Sequence, residues 1–168
     1  MRTRKWFHQE AYKKWIEKVT HHRSKKGATE NPEIDLCDAK KGFCSGHKQI
    51  PRRLMPQIYD TRRFAKTIKR KYGIGSHVAM VRADSLIPSQ EEIKKSVVNK
   101  IGDAMTKKKY KDKPIVISKN KYVIDGHHRW AARKLFTPKK KIKALVVHKK
   151  AMDVLGIAAA EGQPREAF

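Results

Sequence analysis

Asp125-Gly126-His127-His128-Arg129 is the stretch of this chain with the densest capacity for chemistry. It places a carboxylate, two imidazoles and a guanidinium directly after a short apolar run, 122–124. Directly after it comes Trp130-Ala131-Ala132-Arg133-Lys134-Leu135, which reads as a helix. A strand-to-helix junction gathers backbone N–H groups and the positive end of a helix dipole at one point. Gly126 permits a tight turn and close approach of an anion, and Arg129 offers a planar fork that matches phosphate oxygens. His128 reads as a further phosphate ligand. His127 has the chemistry of a general acid or base near neutral pH, and equally that of a phosphate donor. Asp125 suits a divalent cation (Mg2+ or Mn2+), the orientation of His127, or a general base. Each residue also has a structural role open to it: a turn glycine, an Arg129–Asp125 salt bridge, a buried His128, or Asp125 as a helix N-cap.

The elements around the junction must position these groups. Ser89-Gln90-Glu91-Glu92 has the form of a capping box opening a helix through Ile93, Val97, Val98 and Ile101. Ser89 and Gln90 at that helix start, with Lys94 one turn on, would offer a second anion site; plain capping and a solvated lysine are the alternatives. Asp60 or Thr61 opens a helix with Phe64, Ala65, Ile68 and Tyr72 on one face, and Gly73 supplies its stop. Its other face carries Arg62, Arg63, Lys66, Lys69 and Arg70. Residues 77–83 read as a strand, 107–113 as a solvated lysine-rich loop, and 114–118 with 122–124 as a hairpin turning at Lys119-Asn120-Lys121. The junction helix ends before Pro138, a strand covers 143–147, and a closing helix covers 152–160. The expected fold class is α+β, a small mixed sheet with packed helices, in a domain over 50–168.

Residues 1–49 precede that domain. Trp6, Tyr12, Trp15, Ile16 and Val19 fall near helical spacing, so 5–20 reads as a short amphipathic helix, and 21–49 as an irregular polar extension. Cys37, Cys44 and His47, with His21 and His22 upstream, fit no common zinc module closely.

The chain has 41 Lys and Arg against 16 Asp and Glu, a formal net charge of +25 over 168 residues. Such an excess repels itself in a compact fold unless a polyanion balances it. Nucleic acid, DNA above all, is the expected partner, with Arg52, Arg53, the stripe Arg62, Arg63, Lys66, Lys69 and Arg70, and the loop residues Lys107, Lys108 and Lys109 holding its backbone. No apolar stretch approaches the ~20 residues of a membrane span and no signal core follows the basic N-terminus, so a membrane is not expected. The expected location is the cytoplasm, where two cysteines do not form a structural disulfide.

Taken together, the stretch Tyr122-Val123-Ile124-Asp125-Gly126-His127-His128-Arg129-Trp130-Ala131-Ala132 resembles the signature of the ParB/sulfiredoxin superfamily, most closely its phage- and plasmid-type ParB-like nuclease branch. Ile50-Pro51-Arg52-Arg53-Leu54-Met55-Pro56-Gln57-Ile58 is similar to that branch's opening segment, and Leu86-Ile87-Pro88-Ser89-Gln90-Glu91-Glu92-Ile93 to its leucine, proline, Ser/Thr, glutamine helix start. The resemblance covers about 50–150 and implies a phosphate- or nucleotide-binding cleft between the helices starting at Pro88-Ser89 and at Gly126. His127 stands where sulfiredoxins carry their cysteine, so sulfinic-acid reduction is not expected. The Gly-Glu-Arg-Arg of partitioning proteins is also missing. The reading that remains is a DNA-acting phosphodiesterase in which Gly126, His127, His128 and Arg129 bind the scissile phosphate and Asp125 assists, with a divalent cation. Two alternatives stand beside it: a phosphotransferase using ATP or ADP in the same cleft, and a DNA-binding accessory protein of a phage or mobile element without turnover.

Overall fold

A computed structural model of the chain describes residues 33–35, 48 and 50–161. The helix expected over 5–20 and the cluster Cys37, Cys44 and His47 lie outside the described residues.

The architecture is α+β. Its strands are β1 (Glu33–Asp35), β2 (Ser76–Val81), β3 (Ile87–Pro88), β4 (Glu92–Lys94), β5 (Ile115–Ser118), β6 (Tyr122–Asp125) and β7 (Ile142–Val147). Its helices are α1 (Thr61–Tyr72), α2 (Lys95–Thr106), α3 (His127–Phe136) and α4 (Ala151–Glu161), with single 3-10 turns at Arg52–Leu54 and Ala83–Ser85. Five strands form a mixed sheet in the order β2-β7-β5-β6-β3, and β1 pairs antiparallel with β4 in a separate ribbon.

The period-2 alternation of strand side chains divides the core into two layers. Val116 on β5, Ile124 on β6, and Leu145 and Val147 on β7 face one layer, where they meet Phe64 and Ile68 of α1 and Val154, Leu155 and Ile157 of α4. Ile115, Ile117, Val123, Ile142 and Ala144 face the other, against Val98 and Met105 of α2 and Trp130, Ala131 and Ala132 of α3. Because helices cover both faces, β5 is buried along its whole length. Trp130 is fully buried and donates its indole N–H to the Ala83 carbonyl at 2.8 Å, which fixes α3 against the turn before β3.

Local sequence explains α1 well. The Asp60 side chain accepts from the Arg63 N–H at 3.0 Å, satisfying one free donor of the first turn. Gly73, at φ +67°, ends the helix, with Gly73 N–H bonded to the Lys69 carbonyl and Ile74 N–H to that of Ile68.

The start of α2 corrects the sequence reading. No capping box opens a helix at Ser89; the chain forms β4 first, and α2 begins at Lys95 with no side-chain cap. Ile93 is fully buried from this extended stretch. The Glu92 carboxylate accepts from the Arg52 N–H at 2.9 Å instead of reaching back to a cap residue.

Candidate phosphate and nucleic-acid site

The junction is built around Gly126, the N-cap of α3, at φ 95° and ψ 31°. A Cβ there would lie 2.5 Å from Ile115 Cγ2 and 3.0 Å from Arg129 Nη2. Both the left-handed backbone and the close approach of β5 therefore demand glycine. Asp125 is the last residue of β6 and not the helix cap; its Oδ2 faces Arg129 Nη2 at 3.4 Å.

The two imidazoles are committed to backbone. His127 Nε2 accepts from the Ser89 N–H at 3.0 Å and the Gln90 N–H at 3.2 Å, and His127 is only 3% exposed. His128 Nε2 accepts from the Lys94 N–H at 3.0 Å. An amide N–H can only donate, so each Nε2 presents a lone pair and each neutral ring carries its proton on Nδ1. Both histidines thus act as fasteners holding the 89–94 segment to the start of α3. This also explains why that segment is not helical: its N–H groups find imidazole acceptors, and Ser89 Oγ donates to the Val123 carbonyl at 2.6 Å.

Arg129 is fastened as well. Nη1 donates to the carbonyls of Lys113 at 2.9 Å and Pro114 at 3.0 Å, while Nη2 faces Asp125. The salt-bridge alternative is therefore the geometry found, and the guanidinium straps the 113–114 loop to α3.

Around this junction lies a cleft of about 560 Å³. Asp125, Gly126, His127, His128 and Arg129 form its base, residues 55–59 one wall, and Val97, Ile101 and Ala104 of α2 with Lys109, Tyr110, Lys111 and Lys113 the other. Three lysines and Arg129 face Asp125 alone, so the cleft is strongly cationic. Burial pushes the Tyr110 hydroxyl above its ordinary range, partly offset by the Arg129 charge.

The expected site residues divide into three groups. Asp125, Gly126, His127, His128, Arg129, Gln90 and Lys109 line the cleft; Ser89 and Lys94 do not, and contribute through their backbone N–H groups. Arg62, Arg63, Lys66, Lys69 and Arg70 stand exposed on α1, as do Arg53, Lys107 and Lys108 elsewhere, while Arg52 is half-buried beside Glu92. Sequence reasoning missed Gln57, Tyr59 and Tyr110, which line the cleft from loops. Single aromatic residues in irregular segments carry no period that would single them out.

A divalent cation does not fit these residues. Asp125 is the one carboxylate lining the cleft, its Oδ2 faces a guanidinium, and no group of three His, Cys, Asp or Glu side chains converges among the described residues. Hard cations need several oxygen ligands. The volume lies in the range of small-molecule sites, and the lining brings three lysines together with Tyr59 and Tyr110.

No helix among the described residues is long and apolar enough to cross a membrane. No family model, curated protein or solved structure matches the chain.

Proposed function

We propose that this protein binds nucleic acid through its phosphates, seats one backbone phosphate in the cleft at the β6–α3 junction, and acts there as a phosphodiesterase of the ParB-like kind. The observation that carries the reading is the cationic cleft itself: Lys109, Lys111, Lys113 and Arg129 around a single carboxylate, in a chain of net charge +25. Exposed Arg62, Arg63, Lys66, Lys69 and Arg70 on α1 extend the cationic surface beyond the cleft and supply the non-specific electrostatic part of the affinity.

In this reading the lysine ammonium groups neutralise the phosphate oxygens, and Arg129 keeps positive charge at the base of the cleft. Asp125 accepts a proton from the water that attacks phosphorus, and the P–O bond to the departing sugar oxygen breaks. That oxygen leaves as a hydroxyl on taking a proton from a cleft lysine ammonium, which regains one from solvent as Asp125 releases its own. His127 and His128 are positioning residues that hold the 89–94 segment, and with it Gln90 of the cleft lining, in place.

A second reading is favoured by the size of the cleft and its two tyrosines: ATP or ADP bound there, with transfer of a phosphoryl group to a hydroxyl. Incubating the purified protein with DNA in EDTA and in Mg2+, with and without ATP, separates the two. Phosphodiesterase action yields shortened DNA without ATP, and Asp125→Asn abolishes product while DNA binding persists. Consumption of ATP that depends on an acceptor, with intact DNA, would replace hydrolysis by transfer. Salt-sensitive binding with no product of either kind would reduce the protein to a binder.

A further inference from the structure

Gln57, Ile58 and Tyr59 line two hollows at once. One is the cleft at the junction; the other, about 310 Å³, lies against α1 and is lined in part by Arg63 and Arg70. The 57–59 segment is therefore a ridge with cationic side chains on both sides. Tyr59 is 63% exposed on that ridge, the highest exposure of any large hydrophobic side chain among the described residues.

The acidic groups of the second hollow are turned to other work. Asp60 Oδ1 accepts the Arg63 N–H at the start of α1. Glu161 accepts from Lys71 Nζ at 3.1 Å and from the Tyr72 hydroxyl at 2.8 Å. With Lys71 beside Arg63 and Arg70, the hollow carries three cationic side chains against these two carboxylates.

We propose that the protein takes single-stranded nucleic acid across this ridge. Successive phosphates sit in the junction cleft, on Lys109, Lys111 and Lys113, and in the α1 hollow, on Arg63 and Arg70, with an intervening base stacked on Tyr59. The proposal rests on the phosphate-binding reading above and adds to it the state of the strand and a base contact. A duplex satisfies the cationic side chains equally well, but its base faces are already stacked inside and unavailable to Tyr59. An exposed aromatic ring between cationic grooves is the arrangement that rewards unpaired bases.

Fluorescence anisotropy on the full chain tests this with three labelled probes of one length: an oligothymidylate strand, a blunt duplex, and a strand of abasic sugars. The expected result is that the oligothymidylate binds about tenfold or more tightly than the abasic strand or the duplex, the range that base stacking on one ring supplies. Tyr59→Ala removes that advantage and leaves duplex affinity unchanged, whereas Tyr59→Phe keeps it. Equal affinity for strand and duplex, or a Tyr59→Ala loss shared by all three probes, overturns the single-strand proposal while leaving phosphate binding intact. If replacing Lys109, Lys111 and Lys113 together by alanine changes no affinity, or no probe binds, the phosphate-binding reading falls and the single-strand proposal with it.

Discussion

Gly126 is the position at which this junction tolerates least. Its backbone is left-handed, and a Cβ at this position would stand 2.5 Å from Ile115, so a larger residue has no relaxed state here. Gly126→Ala should cost about 2–4 kcal/mol, the sum of backbone strain and overpacking, read as a lower midpoint in urea unfolding. His127 is the second such position, for a different reason. Removing its ring strands the Ser89 and Gln90 N–H groups in a buried setting. His127→Ala should therefore lose about 2–4 kcal/mol of stability, since each buried donor left unpaired costs roughly 1–3 kcal/mol. His127→Gln keeps an acceptor oxygen and should recover part of that loss while retaining DNA affinity. If His127→Gln folds stably and yet loses all turnover, His127 takes part in the chemistry directly and the positioning role is wrong.

At the scale of elements, α1 and α4 are joined by Tyr72, whose hydroxyl donates to Glu161 at 2.8 Å. Burial, then the Glu161 hydrogen bond and its charge, push the Tyr72 hydroxyl well above its ordinary value of 10.0. The folded state thus keeps this proton where the unfolded chain releases it. The resulting stability is fully present below pH 10 and declines as pH rises beyond it. Melting temperature should fall as pH rises beyond 10, and Tyr72→Phe should flatten that part of the curve. A wild-type profile matching Tyr72→Phe would sink the coupling. The same helix shows what was legible in advance: Asp60, the Phe64–Ile68 spacing and Gly73 are local signals, and α1 follows them. The β5–β6 hairpin and α3 were legible too, because apolar runs and turn residues lie side by side in the chain. Ser89-Gln90-Glu91-Glu92 misled because the deciding acceptors, His127 and His128, lie more than thirty positions away. The chemical promise of Asp125 to Arg129 was legible as residue types, but their commitment to backbone partners was not, since those partners belong to other elements.

For the whole molecule, the net charge of +25 sets a quantitative expectation. Each phosphate neutralised by a lysine or arginine releases condensed counterions, so affinity falls with added salt at a slope proportional to the number of contacts. For a single strand each contact contributes about 0.7 to the slope of log affinity against log salt, and for a duplex about 0.9. The α1 stripe and the cleft then become separable. Replacing exposed Arg62, Lys66 and Lys69 by glutamine should lower the single-strand slope by up to about 2, in proportion to how many of them touch phosphate, without abolishing the preference for strand over duplex. Replacing Lys111 and Lys113 by glutamine should lower the slope by about 1.4 and also weaken the competition of free nucleotide for the cleft. Salt titrations of the two variants against the wild type measure both quantities. A slope unchanged by the cleft substitutions, with nucleotide competition intact, would place the bound phosphate outside the junction. The +25 charge would then act only as a diffuse attraction across the surface.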